Sequence, residues 1–587
     1  MPRVLGRVEV LQGFLWFVPA RRQRGGTRPL ALPPGARPEN GDYVIAECPW
    51  EEPRAQLVEV LGREDDPGWD NQAALSRVRW PSTFRRGAVA EAEAGPVPTL
   101  PAPGREDLTD RAAFTMDPVD AADFDDALSW RPLPSGEIEV GVHIADVGHY
   151  VPAGSAVDRD ARERATSVYL PGTAVPMLPE ALSSGLCSLR PGELRYTMSV
   201  LVTMNRAGDR LSHRLVRGAI RSRARLSYEE GQRILEGDAG PDPEVAAALR
   251  DLAGVADRLT AARFRRGALD IESAELKAKV DGAGRTLRLE RYVTFAAHRV
   301  VEEFMLLANQ VVAEEAVERR SPFLYRVHDE PQRSSLQQLE AQLRALGLPR
   351  VEAGATASRT LQRLLEISLP AEKKRLLHQL VLRSLARAEY RAECMPHFGL
   401  ALDRYAHFTS PIRRYPDLVN HRQVAGWLAG ADRERSPKDG DREWAALAMH
   451  TTAQEQRAQE AEREAVRVKG LRLMESRLGE EFEGLVVGVV PRGLFVELTD
   501  PPVDGFCRVQ DAFDDRFEMD DAGVRLEGTR TRRRFALGDM LRVVVVRVDV
   551  PAREMELALV VPLASRSPKK RPVVRAPKRQ RKGRKRK

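Results

Sequence analysis

The sequence predicts a multidomain α+β protein, with a large central region of mixed α/β character flanked by two small all-β modules. Three observations predict it. The chain has 587 residues, too many for one hydrophobic core and enough for three or four domains. Short strand-like runs crowd both of its ends, separated by Gly, Pro and Asp. Between them lie longer stretches whose apolar residues recur at helical spacing.

Residues 1–64 carry the first set of strands. Val4–Val10, Phe14–Val18, Tyr43–Cys48 and Gln56–Leu61 are rich in β-branched and aromatic residues, and so many short strands in so little chain predict a small OB-type barrel. Alternation in GFLWFVP sets Phe14 and Trp16 on one face and Leu15 and Phe17 on the other. Phe14 and Trp16 are then either a stacking platform for bases or core with the rest. Residues 65–104 read as a linker with a short helix at Trp80–Ala94, ending in GPVPTLPAPG.

The central region runs from 105 to 475. Glu137–Ile144 is strand-like, and in Ala296–Glu318 the residues Val300, Val301, Phe304, Leu307, Ala308 and Val311 mark one helix face. Residues 479–562 form the second all-β module, with strand runs FEGLVVGVV, GLFVEL, GFCRV and LRVVVVRVDV.

Composition excludes several classes. A hydrophobic content of 42 % is that of ordinary globular protein, and no apolar run is long enough to span a membrane. The N-terminal MPRVLGRVEV is no secretory signal. The four cysteines are scattered without a C-x-x-C pair, which argues against a disulfide framework or zinc site and for a reducing cytoplasm. The net charge of +7 conceals a basic arm: Ser565–Lys587 holds 13 Lys or Arg and no acid, leaving 79 bases against 85 acids elsewhere. Its like charges and prolines predict a disordered tail at 563–587, suited to nucleic acid or to solubility alone.

The chemistry concentrates in TMDPVDAADFDDALSW, where Asp117, Asp120, Asp123, Asp125 and Asp126 fall within ten residues. Acids so close repel unless solvated or neutralised by cations, and hard cations such as Mg²⁺ prefer oxygen ligands. An EF-hand register fails, because a loop starting at Asp117 needs Gly at Ala122 and Glu at Leu128. In HFTSPIRRYPDL, Ser410 followed by Pro411 predicts a helix start, with Arg413 and Arg414 in its first turn. Positive charge there opposes the helix dipole, so a bound phosphate explains the arginines better than helix stability does.

DPVDAADFDDA resembles the signature of the RNase II/RNase R (RNB) exoribonucleases. The resemblance continues through GVHIADVGHYV, TSVYLPGTAVPMLPEALSSGLCSL, RARLSYEE, VVEEFMLLAN, YRVHDEP and HFGLALDRYAHFTSPIRRYPDLVNHR, about 370 residues in the family's order. It implies a central RNB domain between an OB/cold-shock-like barrel and an S1-type OB barrel. It also implies processive 3′→5′ hydrolysis of RNA to nucleoside 5′-monophosphates with Mg²⁺, two ions per site during catalysis and Mn²⁺ as a substitute.

The resemblance makes Asp117, Asp123, Asp125 and Asp126 metal-site carboxylates, Asp125 the most critical acid, and Arg413 the grip on the scissile phosphate. The role of Asp120 stays open, structural hydrogen bonding being one possibility. Tyr169 resembles the aromatic that stacks the 3′-terminal base. Tyr228 and one of Glu302 and Glu303 resemble residues that sense the ribose, with Glu303 preferred. Glu460 or Glu462 is a further neighbour of the site. Phe482 and Phe495 are the candidate stacking residues of the S1-type barrel, whose CRVQDAF segment departs from the family. His143, His149, His328, His397, His407 and His421 are expected to be structural. RNA is the expected partner of a monomer with no membrane attachment, and a basic arm after S1 suits structured RNA with a 3′ overhang. The alternative is a catalytically inactive RNA-binding protein on the same scaffold.

Overall fold

The computed structural model describes residues 3–20, 26–48, 52–66, 68–205, 207–271, 275–349, 357–430 and 440–560. The basic tail expected at 563–587 lies outside the described residues. The chain divides into two compact units, one running to Ser476 and including Asp549–Arg553, the other formed by Arg477–Val548 and the strand that follows from Glu554.

The first unit opens with a closed barrel of β1 (Arg3–Leu11), β2 (Phe14–Pro19), β3 (Arg28–Ala31), β4 (Tyr43–Glu47) and β5 (Ala55–Gly62), in the order β1-β2-β3-β5-β4. Phe17 is fully buried among Val8, Val44, Ala46 and Ala55, and Leu15 packs against them. Phe14 is 71 % exposed and Trp16 half-buried, so the alternation sends this pair outward. Gly6 is required where it stands, because a Cβ there would lie 2.4 Å from the Phe17 ring.

Residues 65–104 hold two helices where one was expected, Trp69–Arg77 and Arg86–Glu93. The first is polar and short, and its burial of Trp69, Ala73 and Ala74 is a tertiary effect. Trp69 meets Tyr43 of the barrel edge-on at 5.2 Å, while Asp70 is held by Lys469 (2.8 Å) and Arg472. Those two bases belong to the helix Gly440–Glu475, whose 36 residues span about 54 Å.

The centre is a sheet of β6 (Glu106–Asp107), β7 (Phe114–Asp117), β8 (Asp126–Pro132), β9 (Ile138–Ala145), β12 (Leu194–Met204), β13 (Arg210–Arg221) and β14 (Ala224–Ser227), ordered β14-β7-β8-β9-β12-β13-β6. A separate hairpin pairs β10 (Val168–Leu170) with β11 (Thr173–Val175). Strand β9 is buried along almost its whole length, as a strand covered on both faces must be. On one face Phe114, Leu128, Val140 and Val142 pack against the helices Pro243–Arg266 and Ala296–Glu318. All six marker residues expected on Ala296–Glu318 are buried. On the other face Ala127, Ala145 and Ile220 pack with the helices Ala156–Arg164 and Tyr415–Leu428.

The second unit is a closed barrel ordered Glu481–Val490, Gly493–Leu498, Asp504–Cys507, Glu554–Leu559 and Met540–Asp549. A small sheet of Phe517–Met519, Arg525–Gly528 and Arg534–Ala536 is inserted before its last two strands.

Candidate active site

The acidic stretch is the turn between two antiparallel neighbours. β7 ends on Asp117 and β8 begins on Asp126, so residues 118–125 bulge from one edge of adjacent strands. Arg225, on the parallel neighbour β14, donates to the carbonyls of Pro118 (2.6 Å) and Val119 (2.9 Å). Ser188 Oγ donates to Ala122 O at 2.8 Å and accepts from Phe124 N–H at 3.0 Å. Buried Phe124 anchors the loop from below. Asp117, Asp123, Asp125 and Asp126 are thereby brought within reach of one another's charge.

Electrostatically, burial and like charge outweigh the positive charge beside the loop. Burial, then the neighbouring Asp126 and Asp123, push the Asp117 carboxyl up, against the opposing pull of Arg225 and Arg413. Burial raises Asp126, with Arg413 and Arg414 opposing. Burial also carries fully enclosed Asp125 well above the ordinary carboxylate value, although Arg413 and the Ile412 N–H pull it back. Oδ2 of Asp117 and Oδ2 of Asp125 are buried with no hydrogen-bond partner among the described residues. Asp120 is exposed.

Arg413 arrives from a segment far along the chain. The Ile412 N–H donates to Asp125 Oδ1 at 2.8 Å, and Arg413 Nε lies 3.6 Å from Asp125 Oδ2. Arg413 Nη2 donates to Ser410 Oγ at 2.9 Å, which leaves a half-exposed guanidinium facing the acids.

The helix expected to start at Ser410–Pro411 starts instead at Tyr415, with Arg414 as its N-cap. The reason is a competing partner: residues 413–415 are drawn into extended pairing with 165–167. Ser167 N–H donates to Arg413 O (3.0 Å) and Tyr415 N–H to Ala165 O (2.9 Å). Arg413 and Arg414 therefore precede the first turn and do not load the dipole. Arg414 is not a free cation either. Its half-buried side chain donates to Asp417 at 2.8 Å, and the same Asp417 oxygen accepts the Ser410 N–H. Asp417 was legible only as an acid three residues after a base.

The pairing with 165–167 also delivers Tyr169, two residues on in β10. Its hydroxyl donates to Asp123 Oδ2 at 2.9 Å, and its backbone N–H donates to Glu462 Oε1 at 2.8 Å. Of Glu460 and Glu462, then, Glu462 is the one at the site, where burial raises its carboxyl. Tyr228 begins the helix Tyr228–Leu235, and burial, then Asp126 and Asp117, push its phenol upward.

Glu303, the one preferred for the ribose, and Glu302 differ in burial. Glu303 is buried, and one of its oxygens accepts from Arg263 Nη2 (2.6 Å) and Thr260 Oγ1 (2.9 Å), so it pins two helices together. The side chain of Glu302 is 53 % exposed.

Comparison with known proteins decides the family. Residues 105–430 match the model of the RNB domain, and 475–559 that of the S1 RNA binding domain. The chain is 38 % identical over 542 residues to ribonuclease R of Thermotoga maritima, covering 90 % of this chain and 76 % of that one. Mycoplasma genitalium RNase R superposes with a TM-score of 0.87 in its complex with ribose methylated single-stranded RNA, at 25 % identity, covering 95 % of this chain and 89 % of that one. In its complex with double-stranded RNA the TM-score is 0.83, at 25 % identity, covering 95 % and 96 %. This chain belongs to the RNase II/RNase R family.

RNB-family ribonucleases use a divalent metal, and the donor set here fits one. Clustered carboxylates whose affinity for a proton is raised by burial and by neighbouring acids, two of them with buried oxygens that lack a hydrogen-bond partner, suit a divalent cation. No group of three or more His, Cys, Asp or Glu among the described residues is gathered closely enough to cage an ion by itself. That is compatible with Mg²⁺, which takes one or two carboxylates and completes its shell with water and substrate phosphate.

Other residues marked by the resemblance fare unequally. Phe495 is 40 % exposed beside Phe506, but Phe482 is only 8 % exposed and lies under the Arg477 guanidinium at 4.6 Å. Phe482 is barrel core with no open face for a base. Of the six histidines expected to be structural, His143 is buried between the Ser129 and Ser199 hydroxyls, and His421 donates to Phe408 O. All four cysteines are free. No helix among the described residues is long and apolar enough to cross a membrane.

Proposed function

We propose that this chain is a processive 3′→5′ exoribonuclease that hydrolyses RNA to nucleoside 5′-monophosphates, and that its catalytic centre is the apposition of Arg413 with the acidic loop. The observation that carries the site is the half-exposed Arg413 guanidinium 3.6 Å from Asp125, the most buried carboxylate of the acidic loop, beside orphaned carboxylate oxygens.

Asp117, Asp123, Asp125 and Asp126 would hold the metal, which we read as Mg²⁺, two ions during turnover, replaceable by Mn²⁺. When bound, such ions acidify a water and offset charge on phosphoryl oxygens. Arg413 offers a planar fork of donors to the scissile phosphate, where its attraction grows as charge accumulates on the non-bridging oxygens. Asp125, locked by the Ile412 N–H, keeps that fork in register with the acids. Tyr169 presents an aromatic face for the terminal base, with its hydroxyl tied to Asp123 and its backbone to Glu462. Tyr228 and Glu302 would meet the ribose.

Scattered free cysteines suit a reducing cytoplasm, where we place the protein. The reading of a scaffold that binds without cutting is not favoured, since every matched acid and Arg413 is present and brought together. Incubation with Mg²⁺ and a 5′-labelled oligoribonucleotide tests the proposal. The enzyme leaves very short labelled ends, whereas a binder gives only a shifted band and a distributive endonuclease gives scattered mid-length fragments.

A further inference from the structure

Beside Tyr228 stands a residue that neither the acid loop nor the phosphate grip accounts for. His298 is the third residue of the helix Ala296–Glu318, and its ring lies flat on the Tyr228 ring, with centroids 3.7 Å apart and planes 14° from parallel. Both ring nitrogens are engaged. Nδ1 accepts the Phe295 N–H at 3.0 Å, and Nε2 meets the Tyr292 hydroxyl. Because Nδ1 accepts, the proton of the neutral ring sits on Nε2 and is donated to the Tyr292 oxygen. Lys277 Nζ caps the far side of Tyr292, 4.1 Å from its ring centroid. The backbone under Tyr228 is fixed as well, by a reciprocal cap between Ser227 and Glu230.

The stack matters because of where Tyr228 stands. Its phenol lies close enough to Asp126 and Asp117 to feel their charge, which sets the residue beside the acid loop. A tyrosine ring can swing about two side-chain torsions unless something fixes its plane. Here a second ring, itself hydrogen-bonded at both nitrogens, does so. The same helix carries Glu302 four residues after His298, on the same face and one turn along. One helical stripe thus carries both the ring that sets Tyr228 and Glu302, whose exposed carboxylate lies 4.0 Å from Arg263.

We infer that His298 is a positioning residue which, by stacking on Tyr228, sets the enzyme's preference for ribose over deoxyribose at the 3′ end. This rests on the reading of Tyr228 as the ribose-sensing group. A merely structural role is available to His298, since Nδ1 caps the helix, and the test must separate cap from stack.

Two variants do so. His298→Gln keeps a side chain able to reach back to the capped N–H but removes the aromatic face. His298→Phe keeps the face and removes the cap and the Tyr292 contact. The readout is the ratio of kcat/KM on an oligoribonucleotide to that on the same oligomer with 2′-deoxy nucleotides at its 3′ end, alongside thermal unfolding. The expected result is a ratio lowered about tenfold in His298→Gln, the worth of one misplaced hydrogen bond, with Tm nearly unchanged. His298→Phe should keep the ratio and lose Tm. A wild-type ratio in His298→Gln, with Tyr228→Phe lowering it, overturns the positioning role and leaves the ribose reading standing. A wild-type ratio in Tyr228→Phe removes the ribose reading and this inference with it.

Discussion

Both oxygens of the Asp125 carboxylate face the Arg413 segment: Oδ1 accepts the Ile412 N–H at 2.8 Å, and Oδ2 lies 3.6 Å from Arg413 Nε. The acid loop and the phosphate grip are therefore one unit, and disturbing either should be felt by the other.

Asp125→Asn preserves shape while removing the charge that faces Arg413. RNA binding, measured by band shift or anisotropy, should persist, and single-turnover cleavage should fall by at least about a hundredfold, as for loss of a preorganised electrostatic group. Unchanged cleavage would remove Asp125 from the chemistry.

Arg413→Lys keeps a positive charge but loses the planar fork. We expect kcat to drop by about 10²-fold with a smaller change in KM, and Arg413→Ala to be little worse, because a point charge does not replace bidentate contact. Full activity in the lysine variant would show that charge alone suffices.

The acid loop should make the metal-free protein less stable as pH rises. Asp117, Asp125 and Asp126 have folded-state values above the ordinary carboxylate value of 3.8, so the folded protein holds more protons than the unfolded chain at intermediate pH. Their contribution is fully present below about pH 4 and is lost as pH climbs through the raised values. In chelator, Tm of the RNB domain should fall from mildly acidic to neutral pH, and Mg²⁺ should restore it most at the higher pH. Asp117→Asn should raise the chelated Tm by roughly 1–3 °C and flatten the pH trend. A chelated Tm that rises with pH in step with the variant's would contradict this account.

The two adjacent glutamates should separate cleanly. Glu303→Ala breaks the buried pair with Arg263 and should cost about 3 kcal/mol of stability, read by denaturant unfolding, without altering selectivity between RNA and DNA ends. Glu302→Gln should leave stability within about 0.5 kcal/mol and weaken that selectivity. The reverse pattern would reinstate Glu303 as the ribose contact.

Structured RNA offers a further check on substrate range. A hairpin with a single-stranded 3′ overhang should be degraded into its stem, followed on a denaturing gel with a 5′ label. Arrest at the first base pair would confine the enzyme to single strands.

Legibility from sequence varied with range. The helix Ala296–Glu318 was readable because its apolar spacing is a local pattern that burial merely confirms. The barrel strands Arg28–Ala31 and Glu554–Leu559 were not recognised: one is four residues with a proline, the other short and interrupted by Glu554 and Glu556, and each is a strand because its neighbours pair with it. Trp69–Arg77 was missed for the same kind of reason, a polar segment made helical by what Trp69 packs on. Phe482 and Phe495 looked alike as motif residues, and only the packing showed one enclosed and one open.

By itself the sequence determined the barrels at either end, the acid-rich turn and its need for cations, and the arginine pair, since these depend on composition and spacing within a few residues. Only the tertiary structure decided which arginine faces the acids, where the helix after Ser410 begins, and which of Glu302 and Glu303 is exposed. Asp125 and its Ile412 partner are 287 positions apart, and Arg414 forgoes the helix for pairing with a segment near Thr166. Such choices are settled by hydrogen bonds and burial between distant stretches of chain, and local pattern does not encode that competition.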